Sequence, residues 1–290
     1  MSGHERRPWI LLLPALLTLA VFAIAFTMFV SVSLTTQLAG TAVFAGPANL
    51  DNYRAALASP AVRDAAWNTV RLAGEMTLLT ALLGYPLAYV VARSPSPIFR
   101  RAVLFGLVLT LLSGGVTRAY AWLVLLGNRG LVNQTLAAVG LPTFKLVYNE
   151  TGVVVGVVHF LLPFFVLTLL AALRGIPVAL DEAARNLGAS RWRAFVHVFL
   201  PLSIPGLIAA ASLSFAGALS AFLFPELLGG GRVRMAANLI YERIVTDYNL
   251  PRVAAMAALF LILALAALAM LAMVQRAFAR PLTVRSGAVA

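Results

Sequence analysis

Six stretches of the chain are long and apolar enough to cross a lipid bilayer as helices, because a membrane-spanning helix needs about 20 mostly apolar residues. The stretches cover residues 9–35, 67–92, 102–126, 151–173, 202–225 and 253–275. The fourth and the sixth contain no Asp, Glu, Lys or Arg. The pattern predicts an all-α polytopic membrane protein, in which residues 1–290 form a single domain with six transmembrane helices.

Basic residues are distributed unevenly between two alternating sets of connecting segments. The first set comprises residues 1–8, 93–101, 174–201 and 275–290, and the second comprises 36–66, 127–150 and 226–252. The first set carries 12 basic and 3 acidic residues, and the second carries 8 and 6. Cytoplasmic loops of membrane proteins are enriched in Lys and Arg. We therefore expect both termini to lie in the cytoplasm.

The composition excludes several other classes of protein. Hydrophobic residues make up 61% of the chain and charged residues 11%, whereas soluble domains have about 45–50% and about 25%. These values exclude an ordinary soluble enzyme and a disordered chain. The net charge of +12 is explained mainly by the basic set of loops, so the expected partner is the lipid bilayer and not nucleic acid. The chain has no cysteine, which excludes disulfides and thiol chemistry.

The connection over residues 174–201 is unusual because it predicts two short helices outside the apolar stretches. Pro177 suits the first position of a helix, and Gly188 suits the left-handed residue that follows a helix end. Ser190 can cap a second helix, which carries aromatic residues at helical spacing. We expect Pro201 to end this second helix and to lead into the fifth span.

The same loop carries a longer pattern at fixed spacing, formed by Glu182, Ala183, Ala184, Gly188, Val198, Leu200 and Pro201. This pattern resembles the EAA loop of ABC importer permeases, with Val198 in place of the Ile of that family. In the family this loop forms coupling helices that dock into a groove of the cytoplasmic ATPase. The resemblance implies the type I (MetI-like) importer architecture and an ATPase-coupling role for these residues and the neighbouring Asp181.

The residue types in the loop suit contact with a partner protein. Ala183 and Ala184 allow close approach of another surface, Glu182 offers an anion, and Gly188 permits a sharp change of direction. The alternative is an amphipathic helix that lies on lipid headgroups, but such helices are usually rich in Lys and Arg.

Shorter segments resemble the spermidine/putrescine-type subfamily of these permeases. They are Leu50–Tyr53, Asn68–Thr69, Arg118–Trp122, Gly130–Asn133, Leu162–Phe164 and Leu227–Gly230. The resemblance implies a polyamine or a similar amine-bearing substrate. The subfamily also includes opine, phosphonate, thiamine and iron permeases, so an opine or a phosphonate remains an alternative.

The chain lacks the motifs that it would need to use ATP itself. The sequence contains no Gly-x-x-x-x-Gly-Lys-Ser/Thr phosphate loop, so we expect no cofactor here and assign ATP and Mg to separate ATPase subunits. No metal-ligand spacing and no catalytic constellation are found, and we do not expect an enzyme. The resemblance implies a second permease chain, either identical or related, and a periplasmic or lipid-anchored binding protein. It implies location in the inner (cytoplasmic) membrane.

Polar side chains near the spans are candidates for a translocation pathway, because ionisable groups in a bilayer are costly and often functional. The candidates are Glu75, Arg118, Tyr120, Trp122 and Glu226. Glu75 stands four residues after Arg71, so the two side chains can form an ion pair on one face of the helix. We favour this ion pair over a role for Glu75 in lining the pathway. Arg118 is expected to reach the outer interface more readily than to line a pathway.

The remaining candidates have two interpretations each. Tyr120 and Trp122 offer aromatic surface to a cationic substrate or anchor the chain at the interface. Glu226 meets the ammonium groups of a polyamine or is simply solvated. His159 is expected to be a hydrogen-bonded packing residue.

Two rival classes are open. A self-sufficient secondary transporter would use an ion gradient, but such proteins often show internal repeats, and none is found. An intramembrane hydrolase would pair His159 with Ser113 or Ser212, and no motif supports it.

Overall fold

Helices form nearly all of the regular structure in the described part of the protein. The computed structural model describes residues 9–37 and 44–279. In chain order its elements are α1 (Trp9–Ser33), β1 (Thr36–Gln37), β2 (Phe44–Ala45), α2 (Asp51–Ala58), α3 (Pro60–Arg93), α4 (Pro97–Leu112), α5 (Gly115–Leu126), α6 (Leu131–Ala138), α7 (Glu150–Arg174), α8 (Val178–Asn186), α9 (Arg191–Ala194), a π-helical turn (Phe195–Phe199), α10 (Leu200–Leu219), α11 (Leu223–Gly229), α12 (Ala236–Asp247) and α13 (Leu250–Ala279). The two strands pair antiparallel, with Thr36 opposite Ala45 and Gln37 opposite Phe44.

The long helices agree with the apolar stretches of the sequence. Within the described residues, five helical segments are long and apolar enough to cross a membrane. A sixth crossing is counted if α4 and the bent segment Gly115–Ala138, which contains α5 and α6, are taken together as one span. The helix α3 begins at Pro60, seven residues before the predicted start. Proline is favoured at the first position of a helix, which explains the earlier start.

The third apolar stretch is not the single helix that the sequence predicted over residues 102–126. It contains a break at Ser113–Gly114, and the helical segments Pro97–Leu112 and Gly115–Ala138 are bent by 102°. Gly114 caps α5 in an extended conformation, with φ −59° and ψ 147°. Two successive glycines at 114 and 115 weaken a continuous helix because glycine loses the most backbone entropy on folding.

The fifth apolar stretch also divides. The helix α10 ends at Leu219, and Pro225, which was expected inside the fifth span, lies in the first turn of α11. Proline has no N–H to donate and clashes with the preceding turn inside a helix, but it is tolerated in a first turn, where N–H groups have no partner anyway. A new helix start therefore accommodates Pro225.

Side-chain caps begin two other helices. The hydroxyl of Ser96 accepts a hydrogen bond from the amide of Phe99 at 3.3 Å, and Pro97 occupies the first position of α4. The side chain of Asn149 accepts from the amide of Gly152 at 3.0 Å at the start of α7. Both caps satisfy N–H groups that have no partner within their own helix.

The chain divides into two compact units, of which the larger comprises Asp64–Asn238 and the residues from Leu263 onward. Its core is built around α7, which has buried residues along its whole length. Val153 and Val157 of α7 belong to one apolar cluster, and Phe165 and Leu169 belong to a second. The helix α7 packs closely on α10, since a Cβ added to Gly206 would lie 2.3 Å from the Cβ of Ala172.

The smaller unit comprises the residues up to Arg63 together with Leu239–Ile262. The end of α1 is held by two residues of the Leu50–Tyr53 segment. The amide of Asn52 donates to the carbonyls of Ser33 at 3.0 Å and Thr35 at 2.8 Å, and the hydroxyl groups of Tyr53 and Ser33 are 2.6 Å apart. This segment therefore has a structural role in joining α1 to α2.

Candidate functional site

The first helix of the 174–201 loop, α8, ends in a glycine turn. Gly188 has a φ of 89°, which confirms the predicted left-handed residue. The amide of Gly188 donates to the carbonyl of Arg185 at 2.9 Å, and the amide of Ala189 donates to the carbonyl of Ala184 at 3.1 Å. These are the two hydrogen bonds of a Schellman motif, which satisfies the last carbonyls of a helix and reverses the chain.

The surface of α8 lies open. None of its residues is buried. Glu182 and Ala183 are exposed, Asp181 and Ala184 are partly exposed, and Leu187 beside the turn is 90% exposed. A helix without buried residues, followed by an exposed leucine, has the character of a contact surface.

The second helix of the loop does not end at Pro201, as the sequence predicted. Ser190 caps α9, where its hydroxyl accepts from the amide of Arg193 at 3.3 Å, and the helical path then runs through the π turn into α10. The amide of Leu200 bonds to the carbonyl of Phe195, five residues earlier. This extra residue shifts the hydrogen-bond register just before Pro201, which accommodates a proline inside a helical path.

The other motif residues of this helix are Val198 in the π turn and Leu200 and Pro201 at the start of α10. All three are partly buried. They therefore lie in the junction between the loop and α10, whereas Glu182 and Ala183 lie on the open surface.

A group of rings that we call the aromatic cluster, formed by Tyr85, Tyr89, Phe195 and Phe199, holds the second helix against α3. The ring of Tyr89 lies edge-on to Phe195 and Phe199, at centroid distances of 5.0 and 4.9 Å. The hydroxyl of Tyr85 lies 2.8 Å from that of Ser203 on α10. Such edge-to-face pairs add about 0.5–1.5 kcal/mol each beyond their buried area.

Arg93 adds a polar contact at the same place. Its guanidinium lies 4.6 Å from the centre of the Phe199 ring and donates to the carbonyl of Ile176 at 3.3 Å. No sequence motif marks these α3 residues. The available signal was their spacing, because Tyr85, Tyr89 and Arg93 stand four residues apart on one face of a helix.

The expected pair between Arg71 and Glu75 is wrong. Arg71 forms its ion pair with Glu150 at 2.5 Å, which links α3 to the first turn of α7. An acidic residue is favoured in the first turn of a helix, so Glu150 suits its position in α7 and can also pair with Arg71. Glu75 lies exposed on α3.

The expectation that Arg118 reaches the interface is also wrong. Its side chain is 7% exposed, and its guanidinium lies 4.6 Å from the centre of the Phe160 ring of α7. Its Nε and Nη1 atoms have no hydrogen-bond partner among the described residues. The helix α5 packs against α7 and α11, and this packing encloses the arginine.

Two aromatic candidates on α5 differ in exposure. Tyr120 is 53% exposed. The indole N–H of Trp122 donates to Nδ1 of His159 at 3.1 Å, with the two rings edge to face. This confirms that His159 is a hydrogen-bonded packing residue and shows that Trp122 directs its polar group to α7.

The structure gives the hydrolase alternative no support. The hydroxyl of Ser113 donates to the carbonyl of Thr110 at 2.7 Å, and that of Ser212 donates to the carbonyl of Ile208 at 2.9 Å. Across residues 9–37 and 44–279, no group of three or more His, Asp or Glu residues has a geometry able to hold a metal ion.

Glu226 lies on α11 with its carboxylate exposed. Its Oε2 accepts a hydrogen bond of 2.8 Å from the amide of Asn238 on α12. The same amide nitrogen donates to the carbonyl of Phe222 at 3.1 Å. The start of α12 is held in turn by α3, because the amide of Ala236 donates to the hydroxyl of Thr69 at 2.8 Å.

The described residues contain five or six helical segments able to cross a membrane, which is the architecture of a polytopic membrane protein. Residues 83–280 match the family described as the binding-protein-dependent transport system inner membrane component. The chain belongs to this family. It is therefore a permease subunit of an ABC importer and a multi-pass protein of the inner membrane.

Several curated permeases resemble the chain over most of their length. It is 32% identical over 245 residues to the spermidine/putrescine transport system permease protein PotB of Haemophilus influenzae, covering 84% of this chain and 82% of that protein. It is 30% identical over 208 residues to PotB of Escherichia coli, covering 71% and 75%. The molybdenum transport system permease protein ModB of Mycobacterium bovis is 31% identical over 216 residues, covering 72% and 78%.

Solved structures share the fold. A bacterial ABC transporter involved in the import of the acidic polysaccharide alginate superposes with a TM-score of 0.77 and 20% identity, covering 96% of this chain and 98% of that chain. The MetNI methionine transporter in an inward-facing conformation superposes with a TM-score of 0.58 and 19% identity, covering 75% and 95%. These similarities support the MetI-like architecture.

Proposed function

We propose that the chain forms half of the translocation pathway of an ATP-driven importer for a small amine-bearing solute, most simply a polyamine. The single observation that carries the coupling part of this proposal is the loop over residues 174–201. Its first helix presents an open surface, and its second helix continues into α10 without interruption.

In this proposal α8 docks on a separate ATPase subunit, which uses ATP and Mg. Asp181, Glu182, Ala183 and Ala184 form the docking surface, and Gly188 sets the angle between α8 and α9. Because α9, the π turn and α10 form one helical path, a push on α8 is passed directly to α10. The aromatic cluster passes the same push to α3.

Six spans make half of a pathway, so the proposal includes a second permease chain, either identical or related. It also includes a periplasmic or lipid-anchored binding protein that delivers the solute to the side opposite the coupling loop. The excess of basic residues in the loop's set of segments supports a cytoplasmic position for the loop and for both termini.

The polyamine assignment is supported by the names of the PotB relatives and by the residues near α11. The exposed carboxylate of Glu226 suits an ammonium group, and the exposed ring of Tyr120 offers a face to a cation. Glu75 adds an exposed carboxylate on α3. Trp122 supports this wall of the pathway through its bond to His159.

One observation favours the alternative solutes. Arg118 is a buried cation with open donors, and an acidic group on the solute would pair with it, as in an opine or a phosphonate. An amine-bearing opine or phosphonate shares the amine with a polyamine, so the acidic group is what a transport assay must vary.

The test is uptake by the complete importer, reconstituted in liposomes with its ATPase, its second permease chain and its cognate binding protein. ATP-dependent uptake of putrescine or spermidine is expected, with an opine and an aminophosphonate as competing solutes. Uptake that persists without ATP and stops when the ion gradients are dissipated would instead identify a secondary transporter.

A further inference from the structure

The amide of Asn238 is buried and only partly bonded. Its side chain is 6% exposed, and its nitrogen donates to both Glu226 and Phe222. Its Oδ1 atom has no hydrogen-bond partner within the described residues. A buried amide oxygen without a donor costs free energy, so most such atoms in native proteins are paired.

The orientation of this amide is determined by its neighbours. Both groups at its nitrogen, the carboxylate of Glu226 and the carbonyl of Phe222, are acceptors only. Turning the amide over would place its oxygen against two other oxygens. The nitrogen therefore faces Glu226, and the oxygen of the same amide is left as a buried acceptor without a donor.

The surroundings of this acceptor are firmly held. Met235 and Ala236, just before Asn238, are buried, at 0% and 7% exposure, and the amide of Ala236 is bonded to Thr69. On α11, Phe224 and Leu228 on either side of Glu226 are buried as well. Glu226 is thus an exposed residue between buried neighbours on α11, and Asn238 is the buried residue that donates a hydrogen bond to its carboxylate.

We propose that Glu226 and Asn238 together bind a primary ammonium group of the transported solute. A primary ammonium has three N–H donors, of which one is received by Glu226 and another by Oδ1 of Asn238. The ammonium group contacts the exposed carboxylate of Glu226 first. The buried Oδ1 of Asn238 accepts its hydrogen bond when the pathway opens around α11. This inference rests on the proposed import of an amine and names the residue that gives that site its selectivity.

The competing explanation is that Asn238 only joins α12 to α11. An Asn238→Asp variant separates the two roles. Ionised aspartate has no N–H or O–H group, so it loses both bonds of the structural link just as Asn238→Leu does, but it keeps an acceptor for the ammonium. Because two neighbouring carboxylates at lower pH share a proton that could restore the link, uptake is measured at the upper end of the pH range in which the wild type is active. A structural role predicts that both variants fail, whereas an ammonium-binding role predicts that only the leucine variant fails.

Asn133 provides a matched control. It is also buried, at 2% exposure, but all of its bonding groups are engaged within the chain. Its amide nitrogen donates to the carbonyls of Gly127 at 3.1 Å and Phe144 at 2.9 Å, and its oxygen accepts from the amide of Phe144 at 3.0 Å. Asn133→Leu therefore reports the cost of losing a purely structural asparagine.

The experiment measures ATP-driven uptake of labelled putrescine by the complete reconstituted importer, per assembled transporter, at a saturating concentration of binding protein. We expect Asn238→Leu and Glu226→Gln to lower uptake at least about tenfold, because a site built to hydrogen-bond its substrate discriminates strongly when a partner is lost. We expect Asn238→Asp to keep uptake within about threefold of wild type, and Asn133→Leu to change assembly more than uptake per transporter.

The outcomes separate this site from the proposed function. If the wild type imports putrescine and Asn238→Leu does so equally well, or if Asn238→Asp is as defective as Asn238→Leu, the ammonium site is wrong while the importer stands. If the wild type imports no amine, the proposed solute class is wrong and this site falls with it.

Discussion

Arg93 contacts both ends of the loop over residues 174–201. Its guanidinium lies 4.6 Å from the ring centre of Phe199, which follows α9, and donates at 3.3 Å to the carbonyl of Ile176, which precedes α8. The exposed helix α8 lies between these two points. One side chain of α3 therefore clamps the base of the loop and leaves its tip open.

Arg93→Met should loosen this base. We expect the free energy of unfolding to fall by about 1–2 kcal/mol, the sum of a cation–π contact and a hydrogen bond. Solute uptake per ATP hydrolysed should fall as well, because the push on α8 is no longer passed cleanly to α3. Thermal unfolding and coupled uptake and ATPase assays measure the two effects. Arg100→Met, at an exposed position on α4, is the control, and an equal effect there would point to charge alone.

Gly188→Val should uncouple ATP hydrolysis from uptake and leave the membrane helices intact. The φ of 89° at this position disfavours residues with a Cβ, at a cost of roughly 1–2 kcal/mol in the left-handed region. A Cβ here would contact nothing within 4 Å, so the effect is on the backbone alone. Gly188→Asn should retain more uptake, since asparagine tolerates this conformation better. Normal uptake by the valine variant would refute the coupling role.

Arg118→Met should stabilise the protein. Its buried guanidinium contacts the Phe160 ring but leaves two nitrogen atoms without a hydrogen bond among the described residues, and apolar replacement of buried charged groups is often stabilising by roughly 1–4 kcal/mol. Arg71→Met provides the contrast, because it breaks the partly exposed pair with Glu150 and should cost about 0–1 kcal/mol. Melting temperatures of the two variants in the same detergent give the comparison. A lower melting temperature for Arg118→Met would contradict this prediction and mean that the contact with the Phe160 ring outweighs the cost of burying the charge.

Gly206→Ala should destabilise the contact between α7 and α10. The added Cβ would lie 2.3 Å from that of Ala172, and overpacking of this kind costs about 1–3 kcal/mol. Gly74→Ala is the matched control, because a Cβ there meets nothing within 4 Å. That change should be neutral or stabilising by about 0.5–1 kcal/mol. Equal losses at both positions would mean that close packing is not the cause.

The sequence was sufficient wherever the cause of a structure lies within a few residues. Apolar runs of sufficient length predicted the membrane helices, since the bilayer imposes a minimum length on each crossing. The turn at Gly188 and the cap at Ser190 were predicted from neighbouring residues alone, because their hydrogen bonds close within one turn of helix. The EAA pattern, local in the same way, was enough to indicate the family.

The tertiary structure decided every feature that depends on which distant groups meet. Local spacing paired Arg71 with Glu75, but the fold brings Glu150 closer and the stronger contact forms there. From the sequence alone, Arg118 could extend toward the membrane interface, but in the fold α7 and α11 pack on α5 and bury its side chain. The sequence did not indicate a role for Asn238. Its hydrogen bond to Glu226 and its unbonded oxygen depend on the packing of α12 against α11.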